Sequence, residues 1–480
     1  MDGREEKPLD FDVVSAVKDF VFDLHDAMRR SLQLEELETL YTVTFRKLSD
    51  DYYKIGPWPA ADVISNQCGE DQIFLQFYSE MRLRHMNVHL KITIHDRFEA
   101  WANYCRLFDV LLECRDTDFI ITSTWAFDII NEFVYQDVWA VQNVVSYLHG
   151  LITKSNIGAI MEARRTGATA PKSPSQLHQM MGYYGLIGMS RLHCLMGDYH
   201  QCLSTLAPLD VTDRSDLFGS NMHAYVSLYM HMGLSFLMLK RYRDAARVLS
   251  EILVHISRAA KTGQLQKPGM EQIPKQSDKM MCLLAIASFL APGPAADETI
   301  LQTAQDSHRD RLLRMADGGD NAENAVRDLF QMGCPKFIVA SVPDYSVVQN
   351  TSGACIQQQV QLFCHEMSQQ LAFPKVRSYL KLYATISIAK MARFNGMSEA
   401  DYLATLVSMK HKLTQLEWGM NSETSPLTGK LALALEFNYF VEDDTIVIDE
   451  QAQEKRYEKY FIAQISKCND IVSQVSRISM

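Results

Sequence analysis

The chain has 480 residues, 47% hydrophobic and 22% charged, and its 47 Lys and Arg against 58 Asp and Glu give a formal net charge of −11. That length sets a soft prior of about three domains. The apolar content supports a large buried core and excludes disordered, collagen-like and mucin-like classes. The acidic balance argues against a chain that sheathes nucleic acid along its whole length but leaves room for a local basic face.

The ten cysteines (68, 105, 114, 194, 202, 282, 334, 355, 364 and 468) are scattered with no C-x-x-C pair, the pattern of reduced, mostly buried thiols in a cytosolic or nuclear protein. The charged start Met1-Asp2-Gly3-Arg4-Glu5-Glu6-Lys7 has no apolar segment behind it, so no signal peptide is expected. The longest charge-free apolar run, Met280 to Ala291, spans 12 residues, whereas a bilayer needs about 20. A soluble cytoplasmic protein without a membrane partner is expected.

In chain order, Asp12 to Leu48 reads as two helices and Asp71 to Arg84 as another, with Ile73, Phe74, Phe77, Tyr78 and Met81 on one face. Between them Gly56-Pro57-Trp58-Pro59 forms a rigid turn. Arg97 to Cys114 carries an aromatic stripe of Phe98, Trp101, Tyr104, Leu107, Phe108 and Leu111, and Trp125 to Tyr135 and Val138 to Thr153 continue the helical spacing. Trp58, Trp101, Trp125, Trp139 and Trp418 read as core. Gly158 to Ser175 lacks periodicity and reads as an exposed linker. Further loops fall at Thr262–Pro274, Pro292–Pro294, Asp317–Asn321 and Asn421–Lys430. Fourteen or more helices are expected, with 24 methionines supplying adaptable packing.

A faint repeat sits mid-chain. Ser190-x8-Tyr199-x2-Cys202 recurs 43 residues later as Gly233-x8-Tyr242-x2-Ala245. Small residues let two antiparallel helices approach while the tyrosine packs at the turn, which is tetratricopeptide-like logic without a regular 34-residue period.

The C-terminal quarter changes character. Pro374–Ala384 and Ile386–Phe394 read as helices, Asn395-Gly396 ends the second, and Ser398-x-x-Asp401 opens a third with a capping box. Leu435–Val441 and Thr445–Ile448 read as the single strand region, paired across Glu442-Asp443-Asp444. Three helices and a β-hairpin make a winged helix. From Glu454 a last helix places Tyr457, Phe461, Ile465, Cys468, Val472 and Val475 on a narrow coiled-coil-like seam that wants a partner helix.

Enzyme signals are weak. His85 and His89 lie four apart with His95 nearby, but without His-Glu-x-x-His or an acidic or thiol cluster no metal site is expected. Gly182, Gly185 and Gly188 lack the Lys-Ser/Thr of a phosphate loop and read as close helix packing. Thr428-Gly429-Lys430-Leu431 lacks the upstream glycine and the hydroxyl residue of a Walker loop, and His193-Cys194 lies in a core helix. No catalytic residue, metal or cofactor is expected. Residues 374–412 carry seven Lys and Arg (375, 377, 381, 390, 393, 410 and 412) against two acids, a local +5. The third helix opens on Glu399 and Asp401, which would repel phosphate where a recognition helix reads bases. Sequence-specific DNA reading is therefore not expected, and Lys375, Arg377 and Lys381 are the candidate RNA contacts.

Helical repeats running into a winged helix and a trailing helix resemble the PCI domain that scaffolds the proteasome lid, the signalosome and translation initiation factor 3. More specific phrases are Pro57-Trp58-Pro59, Arg97-Phe98-Glu99 with Asn103-Tyr104-Cys105-Arg106-Leu107-Phe108, and Trp125 with Asp128-Ile129-Ile130-Asn131-Glu132-Phe133. With them go Leu148-His149-Gly150-Leu151, Gly182-Tyr183-Tyr184-Gly185, Arg241-Tyr242-Arg243-Asp244-Ala245, Cys334-Pro335-Lys336-Phe337, Arg377-Ser378-Tyr379-Leu380 and Arg456-Tyr457-Glu458-Lys459-Tyr460-Phe461. From about residue 50 to 475 they follow, in order, the L-subunit family of eukaryotic translation initiation factor 3. The likeness departs in the absence of a tyrosine-rich N-terminal tail, in the short stretch between Tyr135 and Trp139, and across Gly158–Ser175.

The resemblance implies a mainly α protein: tetratricopeptide-like or HEAT-like helical repeats, then a winged-helix PCI module and a C-terminal bundle helix. The parts would be 1–157 as an N-terminal helical domain, 158–175 as a linker, 176–370 as the helical repeat, 371–450 as the winged helix and 451–480 as the bundle helix. It further implies a non-catalytic scaffold that binds sister PCI subunits (K and E by family analogy) and the small ribosomal subunit, supports mRNA recruitment and makes at most a weak RNA contact. A sister PCI complex or an RNA-binding winged-helix module are the alternative readings.

Overall fold

The computed structural model describes residues 13–30, 34–90, 92–115, 118–135, 140–169, 175–211, 221–291, 296–318, 320–340, 351–418, 425–435, 437–449, 465 and 468. The protein is mainly helical, as the apolar spacing predicts. It divides into two compact units, Met1–Pro374 with Ser408–Ala434, and Lys375–Val407 with Leu435–Met480.

In the first unit the aromatic stripes become core. Trp58, at 1% exposure, stacks on Phe45 and donates its indole N–H to Ser49 Oγ at 2.9 Å, so the Pro57-Trp58-Pro59 turn is an anchor as well as a turn. The Gln72–His89 helix starts at Asp71, whose carboxylate accepts from the N–H groups of Ile73 and Phe74. Midway along it, buried Glu80 accepts from Tyr104 Oη at 3.2 Å and Trp125 Nε1 at 3.1 Å and faces Arg84 at 3.5 Å. One satisfied carboxylate thereby fixes three helices. Burial pushes its pKa up, against the opposing pull of Arg84 and the Trp125 bond. Trp125 and Trp418 are also buried, Trp101 is half-buried, and Trp139 lies outside the described residues.

The Gln176–Leu195 helix is buried along nearly its whole length, and its glycines explain how. A Cβ on Gly182 would lie 2.5 Å from Ser155 Cβ, and one on Gly188 would lie 2.6 Å from Ile130 Cγ2. The helix thus approaches its neighbours at backbone distance, the packing role that the sequence assigns to the triad. Ser190 and Gly233 do the same for the hairpins that follow. Ser190 Oγ donates to Cys202 O at 3.0 Å, and a Cβ on Gly233 would overlap Leu249.

The two hairpins share one turn. Gly197 and Lys240 both take positive φ, +85° and +64°. The bonds Gly197 N–H to Cys194 O and Asp198 N–H to His193 O recur at the same offset as Lys240 N–H to Leu237 O and Arg241 N–H to Phe236 O. Tyr199 and Tyr242 then open the second helix of each hairpin, both buried.

Two expectations need correction. Residues 157–166 are a helix rather than exposed linker. Ile157, Ile160, Met161 and Ala163 are buried, and Gly167 at φ +68° ends it; four buried apolar side chains are enough to fix a short helix. The strand region is also not single. Strands β1 (Thr385–Ser387), β2 (Thr414–Glu417) and β3 (Lys430–Leu433) join β4 (Asn438–Glu442) and β5 (Thr445–Asp449). β1 to β3 are three or four residues long, too short to show alternation.

In the second unit the chain runs from the Phe373–Leu380 helix through β1, the Ile388–Asn395 helix and the Glu399–Leu413 helix, whose last residues belong to the first unit, to the β4–β5 hairpin. The sheet order is β1-β5-β4, antiparallel, with Ile386 opposite Ile446 and Val441 opposite Ile446. Ser398 supplies the N-cap half of the expected box: Asp401 N–H donates to Ser398 Oγ at 3.2 Å, and Ser398 Oγ in turn donates to the Asp401 carboxylate at 2.6 Å. Tyr439 donates to Leu406 O at 2.6 Å, locking the hairpin to the third helix.

Candidate interaction surfaces

The seven basic residues of 374–412 do not act together. Lys410 and Lys412 belong to the first unit, and Lys412 is taken up by Glu366, which Lys240 also reaches at 2.8 Å. Burial would raise the Glu366 pKa, but these two ammonium groups hold it below the usual range. The remaining five lie in the second unit. Lys375, Lys381, Lys390 and Arg393 are exposed and Arg377 is half-buried. Glu399 and Asp401 are exposed at the start of the third helix, as expected from the sequence.

Of the terminal seam, Tyr457, Phe461, Val472 and Val475 lie outside the described residues. Ile465 and Cys468 are helical, three apart and exposed, Ile465 at 59%. Elsewhere in the second unit β4 is the terminal strand of its sheet and carries exposed Phe440 and Val441. Neither was singled out from sequence. The signal, two adjacent apolar residues where alternation predicts one, was there to be read.

Sequence reasoning also missed a buried clasp in the first unit. Arg241, 7% exposed, donates through Nε to the Asp244 carboxylate at 2.9 Å and through NH1 to Pro426 O at 2.7 Å. Asp244 accepts the Trp418 N–H at 3.0 Å, and Arg243 pairs with Glu417 at 2.6 Å. Trp418 stacks on Phe236, over which the Arg241 guanidinium lies at 4.7 Å. The turn after the Met222–Met238 helix thus holds the β2–β3 hairpin. Gly429 completes the fit, because a Cβ there would lie 2.6 Å from Glu417 O; the Thr428-Gly429-Lys430 phrase is a packing element. Burial raises the Asp244 pKa and Arg241 opposes it.

The residues weighed for chemistry are dispersed. His85 is buried beside His89, rings 4.7 Å apart, and burial lowers its pKa to about 4. Neither of its ring nitrogens has a hydrogen-bond partner among the described residues. Cys194 is buried, and its thiol lies 3.6 Å from His231 O. No group of three or more His, Cys, Asp and Glu among the described residues is arranged to hold a metal ion. No described helix is long and apolar enough to cross a membrane.

A family model described as RNA polymerase I-associated factor PAF67 matches residues 96–137 and 136–468. Eukaryotic translation initiation factor 3 subunit L of Danio rerio is 33% identical over 472 residues, 90% of this chain and 80% of that protein. The Homo sapiens protein of the same name is 32% identical over 90% of this chain and 82% of its own length, and the Xenopus tropicalis one is 32% identical over 92% and 84%. The chain belongs to the translation initiation factor 3 subunit L family. The residues matched by the family model, 96–468, take in the clasp and parts of both units.

Proposed function

We propose that this protein is a non-catalytic scaffold subunit of a cytoplasmic translation initiation factor 3 complex. The observation that carries the reading is the 32–33% identity to subunit L proteins over about 90% of the chain. On this reading the shared-turn hairpins are a tetratricopeptide-like pair, and the second unit, helix–strand–two helices–hairpin, is the winged helix of a PCI module. The outer strand β4, with Phe440 and Val441 exposed among the described residues, is where a sister winged helix adds its own sheet, and the Ile465–Cys468 seam enters a shared helix bundle. Sister subunits of the K and E types and the small ribosomal subunit are the partners. Support for mRNA recruitment follows from membership of such a complex.

The test is affinity purification of the tagged chain from its own cells, intact and with residues 455–480 removed. The intact chain is expected to bring down the other initiation factor 3 subunits in stoichiometric amounts, and the shortened chain is expected to lose them while the helical unit stays folded. Assembly retained without residues 455–480 removes the bundle from the account.

A further inference from the structure

The first unit holds a cleft to which scaffolding through the second unit and the terminal seam assigns no role. It measures about 450 Å³ and lies between the short Ala61–Ile64 helix, the Gln72–His89 helix and the Ile94–Glu113 helix. Its polar groups share one chemical character. Ser65 Oγ donates to Asp62 O at 2.8 Å and Ser79 Oγ donates to Leu75 O at 2.7 Å, so both hydroxyl protons are committed to main-chain carbonyls. Asn103, 5% exposed, donates Nδ2 to Gln76 O at 3.2 Å, and its carbonyl oxygen has no partner among the described residues. Gln76 Oε1 is buried and is also unpartnered among the described residues. Three exposed carboxylates stand around these acceptors. Glu99 meets Arg82 at 3.6 Å, whereas Asp62 and Glu70 have no cation beside them among the described residues. Arg106, the one cation in the lining, turns its Nε back to Ala102 O at 3.1 Å.

We propose that this cleft receives an arginine side chain carried on an extended segment of a partner protein. A lining of acceptors repels anions and selects a ligand that brings donors. No group of three or more His, Cys, Asp and Glu among the described residues is placed to hold a metal ion, so the cation is an organic one. A guanidinium offers five donors in one plane and no acceptor. It can reach the Asn103 oxygen, a carboxylate and, once the half-buried Gln76 side chain turns outward, the Gln76 oxygen, whereas an ammonium is a compact, strongly hydrated point charge. Leu75 and Leu83 in the cleft wall give the stem of the side chain an apolar bed. Free arginine would add its own carboxylate to a rim that already carries three, which favours a side chain held in a peptide.

The test is fluorescence anisotropy of the full-length chain with a short labelled Gly/Ser peptide carrying one central arginine, beside matched lysine and citrulline peptides. The arginine peptide is expected to bind, the lysine peptide to bind about ten-fold more weakly, and the citrulline peptide, uncharged but of the same shape, not to bind measurably. Asp62→Asn combined with Glu70→Gln, both at exposed positions that leave the fold intact, should weaken the arginine peptide about ten-fold. Gln76→Leu keeps bulk, removes the acceptor and should bring the arginine peptide down toward the lysine one. No binding of the arginine peptide at low salt, equal binding of the arginine and lysine peptides, or unchanged binding in the Asp62→Asn, Glu70→Gln chain overturns the proposal. So does free arginine that binds as tightly as the peptide, since the occupant would then be a small molecule. None of this depends on the translation reading, which purification of the unmodified chain with its complex tests separately, so either can fail alone.

Discussion

Replacing Gly182 by alanine tests the close approach on which the helical unit is built. In the interior of the Gln176–Leu195 helix alanine is favoured over glycine by about 1 kcal/mol on propensity alone. Against that, the new methyl would lie 2.5 Å from Ser155 Cβ and closer still to its hydroxyl. Ser155 has no easy retreat, because its Oγ donates to Ile152 O at 2.8 Å and accepts the Ile157 N–H at 3.3 Å at the junction of two helices. Overpacking of this kind costs about 1–3 kcal/mol, and displacing the hydroxyl forfeits bonds worth about 1 kcal/mol each. The net expectation is a loss of about 2–3 kcal/mol. Gly185→Ala is the internal control: its methyl would meet Ile152 Cγ1 at 3.3 Å, with Ile152 Cδ1 and Leu148 O at 3.9 Å, a far smaller overlap set against the same propensity gain, so it should stay within about 1 kcal/mol of the parent. Urea unfolding with an unchanged m-value reads both. A Gly182→Ala chain as stable as the parent, or a Gly185→Ala chain that loses more, refutes the packing argument.

Two further outcomes follow from buried polar groups. Because burial lowers the His85 pKa from 6.5 to about 4 and its nitrogens are unpartnered among the described residues, it contributes stability above pH 6.5 that is lost as the pH falls toward 4. His85→Phe, next to Phe45 and His89, should be neutral or stabilising at pH 7 and should flatten the fall in urea midpoint between pH 7 and 5; an unchanged slope would contradict this. Arg241→Met leaves the Asp244 carboxylate buried without its main partner and should cost about 3–5 kcal/mol. Adding Asp244→Asn should recover part of that, and a single-variant cost under about 1 kcal/mol would show that the clasp contributes little.

Much of the helical unit was legible because long amphipathic stretches encode their own period. The stripe from Ile73 to Met81 and the one from Trp101 to Leu111 reappear as half-buried or buried helix faces, although Phe98 at the start of the second is exposed, and the glycine triad reappears as backbone contact. What was not legible is what distant pairing decides. Arg241 and Asp244 read only as part of a family phrase, because Trp418 and Pro426 lie more than 170 residues away. The β2 and β3 strands escaped notice because Thr414-Gln415-Leu416-Glu417 has no alternation to detect and owes its form to that clasp and to its pairing with residues 430–433. The basic face was overcounted for the same reason: sequence adjacency cannot show that Lys412 is taken up by Glu366 on another helix.

The central claim, a scaffold subunit of initiation factor 3, is tested most directly by purifying the tagged chain from its own cells at about 0.3 M salt, where loose charge contacts are screened beyond roughly 6 Å. Stoichiometric recovery of the other initiation factor 3 subunits is the predicted result. Recovery of proteasome-lid or signalosome subunits instead, or of the chain alone, would contradict it.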